Sequence, residues 1–115
     1  MRAGDVIWVD FGIPAGSEPG FIRPAVVVTA DVVLAQHPRT LHVVPITSNV
    51  ARSLPTEVAV TAPSLGVSSA AQCHLCSVIG LERIMDRDID SIGIVELTQI
   101  RTILGDLFDI SSRAR

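Results

Sequence analysis

Two junctions in this chain set polar chemistry at the mouths of apolar strands. In the first, Gly16-Ser-Glu-Pro-Gly-Phe-Ile-Arg-Pro-Ala-Val-Val-Val28, a polar turn runs into Arg23, and Pro24 then opens a continuous apolar run. In the second, Val43-Val-Pro-Ile-Thr-Ser-Asn49, the hydroxyls of Thr47 and Ser48 close such a run. A guanidinium fork beside hydroxyls, held at the edge of rigid strands, is what binding of a phosphodiester requires. The residue before a proline is held extended, which fixes the direction of the Arg23 side chain. Each junction alone also has a plainer reading. Exposed arginine is common, a Thr-Ser pair at a strand end forms local turns, and Ser17-Glu18 between glycines is a turn with a solvated charge. A carboxylate beside a phosphate site repels substrate unless it is paired, so the simplest role for Glu18 is to pair with Arg23.

The other reactive residues cluster at Cys73-His-Leu-Cys76. Two cysteines make no disulfide framework. A redox pair needs a helix N-terminus, whereas the flanks here read as strand. A zinc site needs about four ligands, and no second pair exists. Packed, reduced thiols are the expectation. His74 is a candidate acid, base or substrate contact, while His37 and His42 lie in or near the loop before the third strand. Trp8, in the first strand, is expected in the core or at a subunit interface. No Asp/Glu cluster suited to two-metal phosphoryl chemistry is visible, so no metal and no cofactor are expected.

The elements that must position these groups are mostly strands. The chain has 115 residues, close to one domain's length, and nearly half are hydrophobic. Only 3% are aromatic, so Val, Ile and Leu must fill the core, which favours a β-rich body. Strands are expected at Val6–Phe11, Arg23–Thr29, Leu41–Ile46 and Thr56–Thr61, with one or two more between Ser69 and Ile79. Pro45 implies that the third is an edge strand or carries a bulge. Residues 12–22, with three glycines and two prolines, form a long loop. A short helical turn is expected around Val32–Ala35. From Ile94 the apolar period changes to three and four, which predicts an amphipathic helix over 94–109, with Leu97, Ile100, Leu104 and Leu107 facing inward. A net charge of −3 excludes a generic basic nucleic-acid binder, so any such role must come from a local site. No run is long enough for a membrane span, and no signal peptide is visible, so a cytoplasmic protein is expected.

Taken in order, these motifs resemble the MazF/PemK-type toxins, the ribonuclease halves of toxin–antitoxin pairs. Gly4-Asp-Val-Ile-Trp-Val-Asp10 is similar to the family's opening strand, and residues 14–28 to its signature loop and strand. Val44-Pro-Ile-Thr-Ser-Asn49 resembles its second motif, and Leu107-Phe-Asp-Ile110 the end of its helix. The resemblance implies a single domain over 1–110 with a polar tail at 111–115. The fold would be a small, curved, antiparallel SH3-like or CcdB-like β-barrel with a C-terminal helix. The implied activity is metal-independent, sequence-specific cleavage of single-stranded RNA by 2′-OH attack, leaving a 2′,3′-cyclic phosphate and a 5′-OH. Arg23 and Thr47 would be catalytic, and Ser17, Glu18, Ser48, Asn49 and His74 would contact RNA. Partners would be a second copy of the chain, forming a homodimer with a shared groove, and a MazE-like antitoxin whose extended segment fills that groove. The chain departs from the family at His74-Leu75, where an acidic residue and glutamine are usual, and at Ser77-Val78, where Arg-Thr is usual. Two other classes remain open on the same fold: a non-catalytic binding module and a CcdB-like gyrase poison. The latter relies on a tryptophan-bearing C-terminal end, whereas the one tryptophan here is Trp8.

Overall fold

Apolar runs without alternation belong to strands covered on both faces, and the two central strands of this protein are such runs. The computed structural model describes residues 1–51, 54–86 and 90–110, so the polar tail read at 111–115 lies outside the described residues. Strands β1 (Val6–Asp10) and β2 (Ile22–Val27) pair antiparallel around the 12–21 loop. After a short helix α1 (Asp31–Leu34), β3 (Thr40–Thr47) returns along β2. Strands β4 (Glu57–Val60), β5 (Ser69–Gln72), β6 (Ser77–Gly80) and β7 (Ile84–Asp86) follow, and α2 (Ile94–Leu107) closes the chain. The seven strands form one antiparallel sheet in the order β4-β5-β3-β2-β1-β7, with β6 also on β3. Its two ends, β4 and β7, have no ladder between them among the described residues, so the sheet is curved but open rather than closed into a barrel.

Two packed clusters lie on opposite faces. One gathers Val6, Val26, Val44, Ile46, Val58, Ala71 and Cys73 under Leu97 and Ile100 of α2. The other gathers Ile7, Val9, Ala25, Val27, Leu41, Val43 and Ile79. Neighbouring residues of β2 and β3 thus enter different clusters, which is why both strands read as unbroken hydrophobic stretches.

Pro45 does not mark an edge. β3 is central: Thr40–Val43 pair with β6, and Ile46 and Thr47 pair with β5. The backbone of His42 bonds toward β2 through the Val28 N–H (3.0 Å) and the Thr29 hydroxyl (2.8 Å). Alternation turns Pro45 to the other side, into the interval between its β6 and β5 neighbours. A missing N–H costs no ladder bond there. His42 accordingly lies within β3 rather than in the preceding loop.

Helix α2 starts at Gly93, whose N–H is accepted by Glu96 Oε1 (2.9 Å), while Glu96 Oε2 accepts the N–H of Thr61 (2.9 Å). One side chain thereby satisfies a helix-start donor and ties the helix to the end of β4. Leu97 and Ile100 are buried, and Ile103 and Leu104 pack against the same cluster. Leu107 does not face inward as its spacing predicts; it is 46% exposed, and Ile94 and Phe108 are more so. α2 packs chiefly on β4 and the 73–75 turn, and Leu107 lies past the residues that reach the core cluster.

Candidate functional site

The β2–β3 register pairs Ala25 with Pro45, Val26 with Val44 and Val27 with Val43. Continued one pleat further, it sets Arg23 opposite Thr47. The two motifs that lie far apart in sequence thus come together at one end of the sheet, where Arg23 and Thr47 line one hollow. Pro24 sits before the first β2–β3 pair, so its missing N–H breaks no bond of that ladder.

The Arg23 guanidinium reaches across β3. Its Nη2 donates to Gln72 Oε1 at 3.0 Å and to the Ile46 carbonyl at 3.3 Å. Gln72, at the end of β5, is buried. These two acceptors aim the fork and leave its remaining N–H groups for a ligand. Partial burial lowers the Arg23 pKa from its ordinary value, by desolvating the charged form. The fork remains a cation at neutral pH, since arginine's ordinary value lies so far above it.

Thr47 Oγ1 accepts the backbone N–H of Asn49 at 3.1 Å. This is the local turn that its sequence position predicts, and it has a chemical consequence. A lone pair of the hydroxyl is engaged, so its proton is available to donate. Arg23, Thr47 and Ser48 line a hollow of about 320 Å³ together with Trp8, Pro24, Ile46, Ser64, Leu65, Val67 and Ser69. Trp8 is thus a half-buried wall of this hollow rather than a core residue.

Other expected site residues lie elsewhere. Glu18 does not pair with Arg23. Its Oε1 accepts the Ala15 N–H (3.1 Å), and it shares a second hollow with Arg83. The cause is the pinched base of the loop: Phe11 N–H bonds Phe21 O at 2.9 Å and Phe21 N–H bonds Gly12 O at 2.6 Å. That closure keeps Glu18 at the end of β1 while Arg23 turns toward β3. Ser17 and Asn49 are exposed and line neither hollow. His74 lies in a 3₁₀ turn between β5 and β6, with Nδ1 2.8 Å from Thr56 Oγ1, and does not line the Arg23 hollow.

Cys73 and Cys76 flank the same turn as free thiols. Burial pushes the Cys73 thiol up to about 11, and burial also raises that of Cys76. High thiol pKa values oppose the thiolate that redox or metal chemistry needs. Among the described residues, no three His, Cys, Asp or Glu side chains gather as metal ligands. Sequence reasoning missed Gln72 and Arg83. The only signal for Gln72 is a long polar side chain inside the otherwise small or apolar run Ser69-Ala-Ala-Gln-Cys73.

Comparison with known proteins gives a consistent result. The family model described as the PemK-like, MazF-like toxin of type II toxin–antitoxin systems matches residues 2–108. Endoribonuclease MazF9 of Mycobacterium tuberculosis is 37% identical over 106 residues, covering 87% of this chain and 89% of that protein. The crystal structure of MazF from Deinococcus radiodurans superposes with a TM-score of 0.80 at 28% identity, covering 95% of this chain and 96% of that one. A MazE–MazF crystal structure from the same organism gives a TM-score of 0.75 at 28% identity, with 96% and 97% covered.

Proposed function

This chain belongs to the family of PemK-like, MazF-like toxins of type II toxin–antitoxin systems, and we propose that Arg23 and Thr47 are the residues with which it cuts RNA. It is the toxin component of such a system and an endoribonuclease. One observation supports the catalytic pair above the others: the continued β2–β3 register sets Arg23 opposite Thr47, with the arginine fork braced by Gln72 and the Ile46 carbonyl.

In this reading the ribose 2′-oxygen of single-stranded RNA attacks the adjacent phosphorus. The new O–P bond forms as the bond to the 5′-oxygen breaks, leaving a 2′,3′-cyclic phosphate and a 5′-OH. The 2′-OH proton leaves during attack, and a proton is delivered to the 5′-oxygen. Negative charge gathers on the non-bridging oxygens, where the free N–H groups of Arg23 donate to it, and the Thr47 hydroxyl holds the phosphate in line. Each preorganised donor is worth about 3–4 kcal/mol at the transition state. Arginine stays protonated, so it serves as donor and not as base. Ser48 and Asn49 follow Thr47 at the strand end and would meet the adjoining nucleotide. His74 would meet RNA only beyond the hollow. The reaction needs no metal, because the guanidinium supplies the positive charge.

The protein acts in the cytoplasm as a homodimer, RNA crosses a groove shared by two copies, and a MazE-like antitoxin competes for that groove. The MazE–MazF structures of relatives support the partner, and no helix among the described residues is long and apolar enough to cross a membrane.

The test is cleavage of RNA in excess chelator with both new ends mapped, wild type beside Arg23→Ala and Arg23→Lys. Wild type leaves cyclic-phosphate and 5′-OH ends. Arg23→Ala stays folded and loses at least about a hundredfold in rate. Arg23→Lys is also poor, because a point charge lacks the fork. Turnover near wild type in Arg23→Ala would move the chemistry elsewhere.

A further inference from the structure

We propose that the hollow beneath the 12–21 loop is a guanine-reading subsite, with Glu18 and Arg83 as its specificity-determining residues. The inference rests on the endoribonuclease reading for its substrate class and goes beyond it in naming a base. The hollow, about 240 Å³, is lined by Phe11, Glu18, Pro19, Ser77, Val78, Ile79 and Arg83. That is smaller than the roughly 300–1,000 Å³ of sites for drug-sized ligands, and suits one planar base rather than a length of chain.

Its position fits the RNA path. Val9, Ala25, Val43 and Ile79 share one cluster on one face of the sheet, and Phe11 packs against it. Alternation along β2, β3 and β6 assigns Arg23, Thr47 and Ser77 to that same face, and Ser77 is the β6 partner of Val43. Arg23 and the hollow's Ser77 therefore share one sheet surface, and Arg23 is the β1 partner of Val9, two residues before Phe11, so a base that follows a phosphate held by Arg23 could enter the hollow.

Its chemistry selects among the bases. The Phe11 and Pro19 rings and the Val78 side chain offer apolar surface on which any base stacks. The charged pair is discriminating. A carboxylate takes two parallel donors, and guanine is the RNA base that presents two adjacent N–H donors, N1–H and N2–H₂. A guanidinium fork matches two adjacent acceptors, which guanine presents as O6 and N7. Glu18 and Arg83 in one small hollow are thus complementary to both edges of one base. Adenine offers the carboxylate only its amino group on that edge.

The site is built before any ligand arrives. Arg83 Nη1 donates to the Asp10 carbonyl at 3.2 Å, and the Asp10 carboxylate accepts the Gly12 N–H at 2.8 Å. A Cβ on Gly12 would come within 3.4 Å of that same Arg83 nitrogen, and its φ of +78° suits glycine. Glu18 is fixed in turn by Ala15, whose N–H meets its Oε1 while the Glu18 N–H returns to the Ala15 carbonyl at 3.2 Å. A carboxylate has about four lone-pair sites, so one such contact leaves room for a base. The loop is tight besides: a Cβ on Gly20 would collide with the Pro14 ring. These contacts hold an anion and a cation in place in the lining of one hollow.

The experiment selects binders for the full-length protein from a randomised pool of 2′-fluoro RNA, which lacks the attacking hydroxyl, and repeats the selection with Glu18→Gln and Arg83→Met. The wild-type motif should contain an invariant guanine. Replacing it by inosine, which lacks the N2 amino group, should weaken wild-type binding about 5- to 150-fold, the range of a good bidentate base contact. The same change should cost Glu18→Gln little. Replacement by 7-deazaguanine should weaken wild type and spare Arg83→Met. A motif without guanine, or variants as sensitive to both analogues as wild type, would overturn the subsite. Cleavage of unmodified RNA, run in parallel, separates the two readings. Guanine-dependent binding without cleavage sinks the nuclease and leaves the subsite standing, and cleavage indifferent to guanine does the reverse.

Discussion

Changing Gln72 separates the aim of Arg23 from its charge. Gln72 Oε1 lies 3.0 Å from Arg23 Nη2, against 3.3 Å for the Ile46 carbonyl, so it is the shorter of the two braces. Gln72→Met keeps the shape and removes the acceptor. A hydrogen bond to a charged group contributes about 1.5–3 kcal/mol, and Arg23 is only half-buried, so solvent should reduce the loss to about 1–2 kcal/mol. A fork that wanders by an ångström costs on the order of a hundredfold in rate; with the Ile46 bond kept, a tenfold to hundredfold fall in kcat/KM is expected. Gln72→Glu puts a carboxylate at the same atom. Two unit charges 4 Å apart interact by about 4 kcal/mol at an effective dielectric of 20. Half of that, set against the phosphate, is about 2 kcal/mol, or roughly thirtyfold, and it adds to competition for the fork's donors. The glutamate variant should therefore be the more stable of the two and the less active. Urea denaturation and single-turnover RNA cleavage on the same preparations read both orders. Full activity in Gln72→Glu would mean that the charge on Arg23 is not used, and activity that merely tracks stability in both variants would reduce Gln72 to a packing residue.

Three further outcomes are expected. Thr47→Ser should keep most activity, whereas Thr47→Val, which keeps the shape and loses the donor, should fall about a hundredfold or more in single-turnover cleavage while its denaturation midpoint moves little. Above pH 9 the fold should weaken: the Cys73 thiol titrates near 11 in the folded chain against an ordinary 9.0, so the unfolded chain binds fewer protons across that interval. Stability then falls as pH rises from 9 toward 11, by up to about 1.4 kcal/mol per unit from this group, and urea denaturation of Cys73→Ala should lose that slope. Ile100→Ala should cost about 2–5 kcal/mol, because Ile100 is fully buried under the sheet, whereas Leu107→Ala, at a site 46% exposed, should cost less than about 1 kcal/mol in the same assay.

What could be read from the residues alone was what is local. The apolar runs at β1, β2 and β3 and the change of period at Ile94 are properties of neighbouring residues, and each became the expected element. β7 went unread because three residues, Ile84–Asp86, carry no period of their own and form a strand only by pairing with β1. Pro45 misled for a related reason. The cost of proline in a strand depends on what faces its nitrogen, and here β6 ends and β5 begins at that point. Leu107 keeps the helical spacing of Leu97 and Ile100, but spacing says nothing of where the sheet beneath stops.

The site divides along the same line. Arg23 and Thr47 could be chosen by residue type and by family resemblance, yet their meeting is a fact of register. Shift β3 by one residue against β2 and Thr47 moves to the opposite face of the sheet. Pro45 helps to prevent that slip. Moved by one position, its nitrogen would face β2, where the ladder needs a donor. The residue that looked like a defect in the strand therefore helps to hold the arginine and the threonine opposite one another. Glu18 shows the converse. Its nearness to Arg23 in sequence suggested a pair, but the Phe11–Phe21 and Gly12–Phe21 bonds make the loop between them a closed unit, and a side chain in such a unit is placed by the loop's own contacts. Charge partners chosen by sequence distance fail where backbone closure intervenes, and here closure brings Glu18 to Arg83, a residue 65 positions away whose own anchor is the Asp10 carbonyl at the start of that loop.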